Sequence, residues 1–173
     1  DSSTDTSTTT TTTASNTTSN TAQTGVFVDE VVSGIYYSSP SYSGYTNDDG
    51  EFQYKAGETI TFSIGGIVIG ENEGQAVLTP VELSDDENSH DDHLVNILRM
   101  LQTMDSDGDP SNGISITANE HSKANNANIN LNQPSQKFTA DFQKDQTFTE
   151  EYTLVDSNQA MGHFRSTINK LTN

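Results

Sequence analysis

The apolar residues of this chain change their period halfway along, and that change decides what it can fold into. In Thr59-Ile60-Thr61-Phe62-Ser63-Ile64 every second residue is apolar, the pattern of a strand with one face on a core. From Leu94 the spacing becomes i, i+3, i+4, i+7, with Leu94, Ile97, Leu98 and Leu101 forming the stripe of a helix packed on a core. Strands come first and helices follow, so the expected class is α+β.

The rest of the first half supports this reading. Val26-Phe27-Val28 and Val31 to Tyr37 are β-branched and aromatic, as strands require. The stretch 38–43 carries Pro40 and reads as a loop. Residues 44–54 read as a hairpin turning at Asp49-Gly50, with Phe52 and Tyr54 on the buried face. Gly57-Glu58 marks a further turn, Gly65-Gly66 breaks the run before Ile67-Val68-Ile69, and Ala76-Val77-Leu78 closes the region. An antiparallel, β-sandwich-like unit is therefore expected over 25–83, with a helical part over 84–173. Ser89, Asp91 or Asp92 can cap the first long helix. Thr117-x-x-Glu120 is a capping-box pattern for a helix reaching about Asn125. Phe138 and Phe142 share a helical face. Asp156 starts a last helix whose expected stripe is Met161, Phe164, Ile168 and Leu171.

Residues 1–24 are low-complexity Thr and Ser without one large apolar side chain, which cannot offset its ordering entropy by burial. On its own this leader reads as a flexible stalk and a candidate for O-glycosylation. Because Thr is β-prone, a sheet edge in an assembly would order it. The 173 residues thus suit one domain, 25–173, plus a leader. With 25 Asp and Glu against 7 Lys and Arg, the net charge is -18, which excludes nucleic acid and anionic membrane surfaces as partners. There is no cysteine, and no apolar run approaches the ~20 residues that span a bilayer. A start at Asp1 followed by Thr and Ser suits an exported protein whose signal has been removed, so the expected location is extracellular or the bacterial cell surface.

One loop carries chemistry. In Asp105-Ser-Asp107-Gly108-Asp109-Pro110-Ser-Asn112-Gly113 three carboxylates alternate with small residues, Gly108 permits a sharp turn, and Asn112 adds a neutral oxygen. Hard oxygen donors at this spacing are what a calcium ion needs. Asp105, Asp107, Asp109 and Asn112 are the expected ligands. Position twelve is Ile116, where an EF-hand has a bidentate Glu. Water, a backbone carbonyl, or Asp91, Asp92 or Glu120 would have to replace it. The loop resembles the short DxDGD calcium loops of dockerin and thrombospondin type 3 repeats, and that resemblance implies Asp105, Asp107 and Asp109 as ligands.

A wider resemblance rests on Gly34-Ile-Tyr36, on Thr46-x-x-x-Gly50-x-Phe52-x-Tyr54-x-x-Gly57 and on Phe62-x-Ile64-Gly65. This pattern resembles the small prealbumin-like β-modules of bacterial surface proteins. With Leu98-x-x-Leu101-Gln102-Thr103-Met104-Asp105 and Asn112-Gly113-Ile114, the order over 25–116 is similar to a module of secreted, often lipoprotein-type, surface proteins of Gram-negative bacteria. It implies location rather than an activity. Some prealbumin-like pilin modules carry a Lys–Asn crosslink near the start of the domain; the first lysine here is Lys55, so none is expected.

His90, Asp91, Asp92 and His93 offer donors suited to zinc, but acids and imidazoles opening a helix are ordinarily a solvated, charge-paired terminus. There is no nucleophile elbow, no zinc-protease helix, no phosphate-cradling loop and no cysteine nucleophile, so no enzyme is expected. Two readings stay open. In one, the chain is a surface structural protein, a fibre or adhesin-like subunit steadied by calcium, whose copies join by strand addition. In the other, it is a monomeric calcium-binding lipoprotein or ligand-binding module on a stalk, with Tyr36, Tyr37, Tyr42 and Tyr45 as a face for a glycan or protein receptor.

Overall fold

The computed structural model describes residues 21–85 and 92–173. Among these described residues nine strands come mostly first: β1 (Gln23–Phe27), β2 (Val32–Ser33), β3 (Tyr36–Ser38), β4 (Ser43–Tyr45), β5 (Glu51–Tyr54), β6 (Thr59–Ile64), β7 (Ile67–Glu73), β8 (Val77–Leu78) and, among the helices, β9 (Ile114–Ser115). The helices are α1 (Pro80–Leu83), α2 (Asp92–Thr103), α3 (Ala118–Ala124), α4 (Ser135–Lys144), α5 (Gln146–Thr149) and α6 (Ser157–Thr172). The fold is α+β. No helix of the described residues is long and apolar enough to cross a membrane.

The strands form three sheets, and not all pairings are antiparallel. One runs β4-β3-β6-β7, antiparallel throughout; another runs β5-β1-β8, with β8 parallel to β1; β2 and β9 form a parallel pair. Alternation in β6 puts Ile60, Phe62 and Ile64 into the core, as the spacing requires. Residues 44–54 do not make a hairpin. Asn47 Oδ1 accepts from the backbone N–H of Asp49 and of Glu51, which forms the turn. The chain then leaves β4, on β3, for β5, which pairs with β1. Turn residues set the reversal and long-range pairing chose the sheet. Gly65-Gly66 is likewise a hairpin turn joining β6 to β7 rather than a simple break. Gly65 sits at φ +53, and a Cβ there would lie 2.4 Å from the His121 carbonyl oxygen, so α3 closes directly on this turn.

Helix α2 organises the second half because both its faces are used. Ile97, Met100 and Leu101, with Met104 just beyond, enter the main core with Phe27, Phe52 and Phe62. Leu98 turns the other way and packs with Ala160 and Phe164 of α6. Its buried polar side chains fasten what lies around it. Asn96 donates to the carbonyls of Leu131 and Gln133. Arg99 donates to the Val155 carbonyl and to the hydroxyls of Ser135 and Thr139, and lies over the Phe138 ring. Phe138 and Phe142 are both buried, and Thr117 with Glu120 forms the capping box of α3. Asp156 caps α6. Of the expected α6 stripe, Phe164 is buried and Met161 and Ile168 pack partly, but Leu171 is 52% exposed. Ala160 and Thr167 fill the face instead.

Candidate metal centre

The loop after α2 starts from a rigid point. Asp105 is only 4% exposed, and its Oδ1 accepts from the Ser115 N–H at 3.0 Å. Ser115 is itself held in β9 against β2. Its other oxygen, Oδ2, is buried with no hydrogen-bond partner. Burial raises the Asp105 carboxyl to about 6; the Ser115 N–H opposes the rise and the neighbouring Asp107 charge adds to it.

Beyond Asp105 the backbone turns at Gly108, whose φ is +70 and whose N–H returns to the Asp105 carbonyl at 3.2 Å. The exposed Asp107 accepts from the Asp109 N–H at 2.9 Å and from the Asn112 amide at 2.8 Å, and both bonds hold it below the usual carboxylate range. Asp109 accepts from Ser111 N–H and Oγ at 3.1 and 2.5 Å, which opens the 3-10 turn Pro110–Asn112. A cavity of about 320 Å³ lies alongside, lined by Asp107, Asn112 and also Asp48. Asp48 belongs to the turn after β4, and no spacing in the sequence points to it.

The structure thus bonds Asp107 to Asn112 and sets it beside Asp105, which does not line the cavity, and it commits one oxygen of Asp109 to capping. Among the described residues no three His, Cys, Asp or Glu side chains already gather around one point. The other proposed donors are used elsewhere. Asp92 accepts from the Ser135 N–H. Glu120 accepts from the Thr117 N–H and hydroxyl, and from Tyr152. Asp91 and His90 lie outside the described residues. His93 is buried; its Nδ1 accepts from the Asp85 N–H, so Nε2 carries the proton and donates to the Ile69 carbonyl.

A second group of polar atoms lies at the same corner. The Asp29 side chain, 0% exposed, accepts from the Gln102 amide, 73 residues away in sequence, at 3.4 Å. Its Oδ1 stands 3.8 Å from His163 Nε2 of α6. Asp29 Oδ1, Gln102 Oε1 and His163 Nε2 are all buried without a hydrogen bond. Burial raises Asp29 to about 7, Gln102 opposing and Glu30 adding. Burial lowers His163, and the charges of Glu30 and Asp109 of the loop oppose that. Glu30, next along, accepts from Lys170 at 2.6 Å, so α6 is tied to this turn twice.

The four tyrosines do not form one face. Tyr37 is buried, its ring against Phe52 and its hydroxyl accepting from the Gln53 N–H. Tyr42 packs partly on the core. Tyr36 and Tyr45, opposite one another on β3 and β4, line a separate groove against α3.

Comparison with protein-family models, with curated proteins and with solved structures finds no match for this chain.

Proposed function

We propose that the chain is a non-enzymatic structural module of a bacterial cell surface, completed by one calcium ion at residues 105–112 and assembling with copies of itself. The buried, unpaired Asp105 Oδ2 carries this reading. A desolvated carboxylate oxygen without a donor is costly unless a proton, an ordered water or a cation reaches it. Asp107 stands close enough to raise it further, so a divalent ion would relieve both groups. The donors are all oxygen, which suits a hard cation, and water would complete a shell of about 6–8 ligands. Asn112 now gives its amide N–H to Asp107; on binding, the ion would take over that role and Asn112 would turn its oxygen inward. A net charge of -18 further favours cation uptake.

Assembly would proceed by strand addition from the Thr-rich leader onto a neighbour's sheet edge. On β7 that route is obstructed, since α1 lies against Gly70 and His93 occupies the Ile69 carbonyl. The short edges β4, β5 and β8 and the two-stranded pair β2–β9 remain. Electron microscopy in millimolar calcium tests this, with regular fibres expected and their loss on deleting residues 1–22, which precede β1 in the sequence. Dispersed particles at high concentration would overturn assembly and leave the second reading, a stalk-borne ligand-binding module. The Tyr36–Tyr45 groove favours that alternative.

A further inference from the structure

The groove between the β3–β4 face and α3 has a chemistry unlike the rest of this acidic molecule. It encloses about 550 Å³ and is lined by Tyr36, Tyr45, Gly65, His121, Ser122 and Asn125, with Ala118. No carboxylate or ammonium lines it, although the chain carries 25 acidic and 7 basic side chains. A charged ligand would find no counter-ion here, and an anionic one would be repelled by the net charge.

Its walls are fixed. His121 Nδ1 accepts from the Gly65 N–H at 3.0 Å, so the ring proton is on Nε2, which donates to the Gly34 carbonyl at 2.6 Å. The imidazole and the Tyr45 ring meet edge to face at 5.1 Å, and the Tyr36 and Tyr45 rings do so at 5.4 Å. Tyr45 is nevertheless 60% exposed, more than any other large apolar or aromatic side chain among the described residues. An aromatic surface held upright and left in water is an unused source of binding energy. Around it, the hydroxyls of Tyr36, Tyr45 and Ser122 and the amide of Asn125 make no hydrogen bond within the described residues.

A ligand that fits must be uncharged, present a flat apolar face and carry several hydroxyls. We propose that this groove binds a neutral saccharide, one sugar ring stacked on Tyr45 with its hydroxyls bonded to Ser122 and Asn125. The proposal rests on the second reading above, that of a ligand-binding module, and does not require the calcium loop.

The test is an amide NMR titration of the full chain, in calcium, with cellotriose, maltotriose and chitotriose at up to tens of millimolar. Saturable shifts at Tyr45, Gly65, Ser122 and Asn125 are expected with at least one sugar. Tyr45→Ala should weaken that binding roughly tenfold or more, as loss of one aromatic stacking contact predicts, and Asn125→Ala severalfold. Leu171→Ala, exposed at the far end of α6, should change nothing. Tyr45 is largely exposed, so an unchanged spectrum away from the groove will show that the variant still folds. Absence of shifts with every sugar, or sugar binding indifferent to Tyr45→Ala, overturns the proposal. A synthetic peptide of residues 1–24 separates the two failures. Shifts in the groove with the peptide alone would discard the saccharide but keep a ligand-binding module, whereas silence with both would discard the module as well.

Discussion

The sheet core and the corner at the end of α2 treat buried polar atoms in opposite ways. In the core, the buried Thr46 hydroxyl donates to the Val32 carbonyl and accepts from the Ile35 N–H. Tyr37, half-polar, has its hydroxyl bonded as well. At the corner, Asp29 Oδ1, Gln102 Oε1, Asp105 Oδ2 and His163 Nε2 are buried without partners, four of the five such atoms among the described residues. The fifth, Asn96 Oδ1, is further back on α2. Native proteins leave few such groups, and a cluster of them marks a place where an ion or ordered water belongs. One region pairs its buried polar atoms with its own groups, and the other leaves four unpaired among the described residues.

The largest effect should come from the sheet core. Phe62 is fully buried and stacks on Phe27 at 4.9 Å, so Phe62→Ala should destabilise the chain by about 3–5 kcal/mol. Chemical denaturation should give the same loss with and without calcium. A calcium-dependent loss would mean the two regions are not separable.

Next in size is Asp29→Asn, which sharpens the contrast at the corner. A carboxyl raised from 3.8 to about 7 on folding contributes stability that is fully present below about pH 4 and is lost as pH rises through about 7. The whole shift corresponds to ~4 kcal/mol at most, with His163 and Glu30 the titratable neighbours. Asparagine cannot ionise. The stability of Asp29→Asn relative to the parent should therefore climb between pH 4 and 7 and level off above. A difference that is flat with pH would show that Asp29 does not titrate as its burial implies.

Smallest is Thr117→Ala, which removes half of the α3 capping box and should cost about 1 kcal/mol. It should not alter calcium binding, because Glu120 serves the helix and not the loop. A weakened calcium response in this variant would return Glu120 to the ligand set.

The contrast also explains what could be read in advance. Alternation in β6 and the Thr117–Glu120 box are local patterns, and each appears where its spacing places it; the single stripe expected of α2 is instead divided, Ile97 and Leu101 entering the main core while Leu94 and Leu98 pack with α6. The loop is local too: its turn at Gly108 and the bonds of Asp107 to Asp109 and Asn112 follow from the short intervals between these residues. The expected hairpin over 44–54 failed because a turn at Asn47–Gly50 specifies reversal but not the receiving strand, and β1 supplied that from residues 23–26. Leu171 follows the helical period yet lies past the end of the surface that α6 covers. Asp29, Gln102 and His163 meet only through the fold, across 73 residues in one case, and no interval in the sequence links them. Asp48 joins the loop cavity in the same way.

Calcium bound at residues 105–112 would show in the thermal unfolding of the parent and of Asp107→Ala, each measured with and without the ion. At a hundredfold excess over Kd, calcium should raise the parent's Tm by about 5–10 °C. Asp107→Ala should lose that rise and melt close to the calcium-free parent. If the parent melts at one temperature with and without calcium, the loop binds no ion and the corner is not a calcium site.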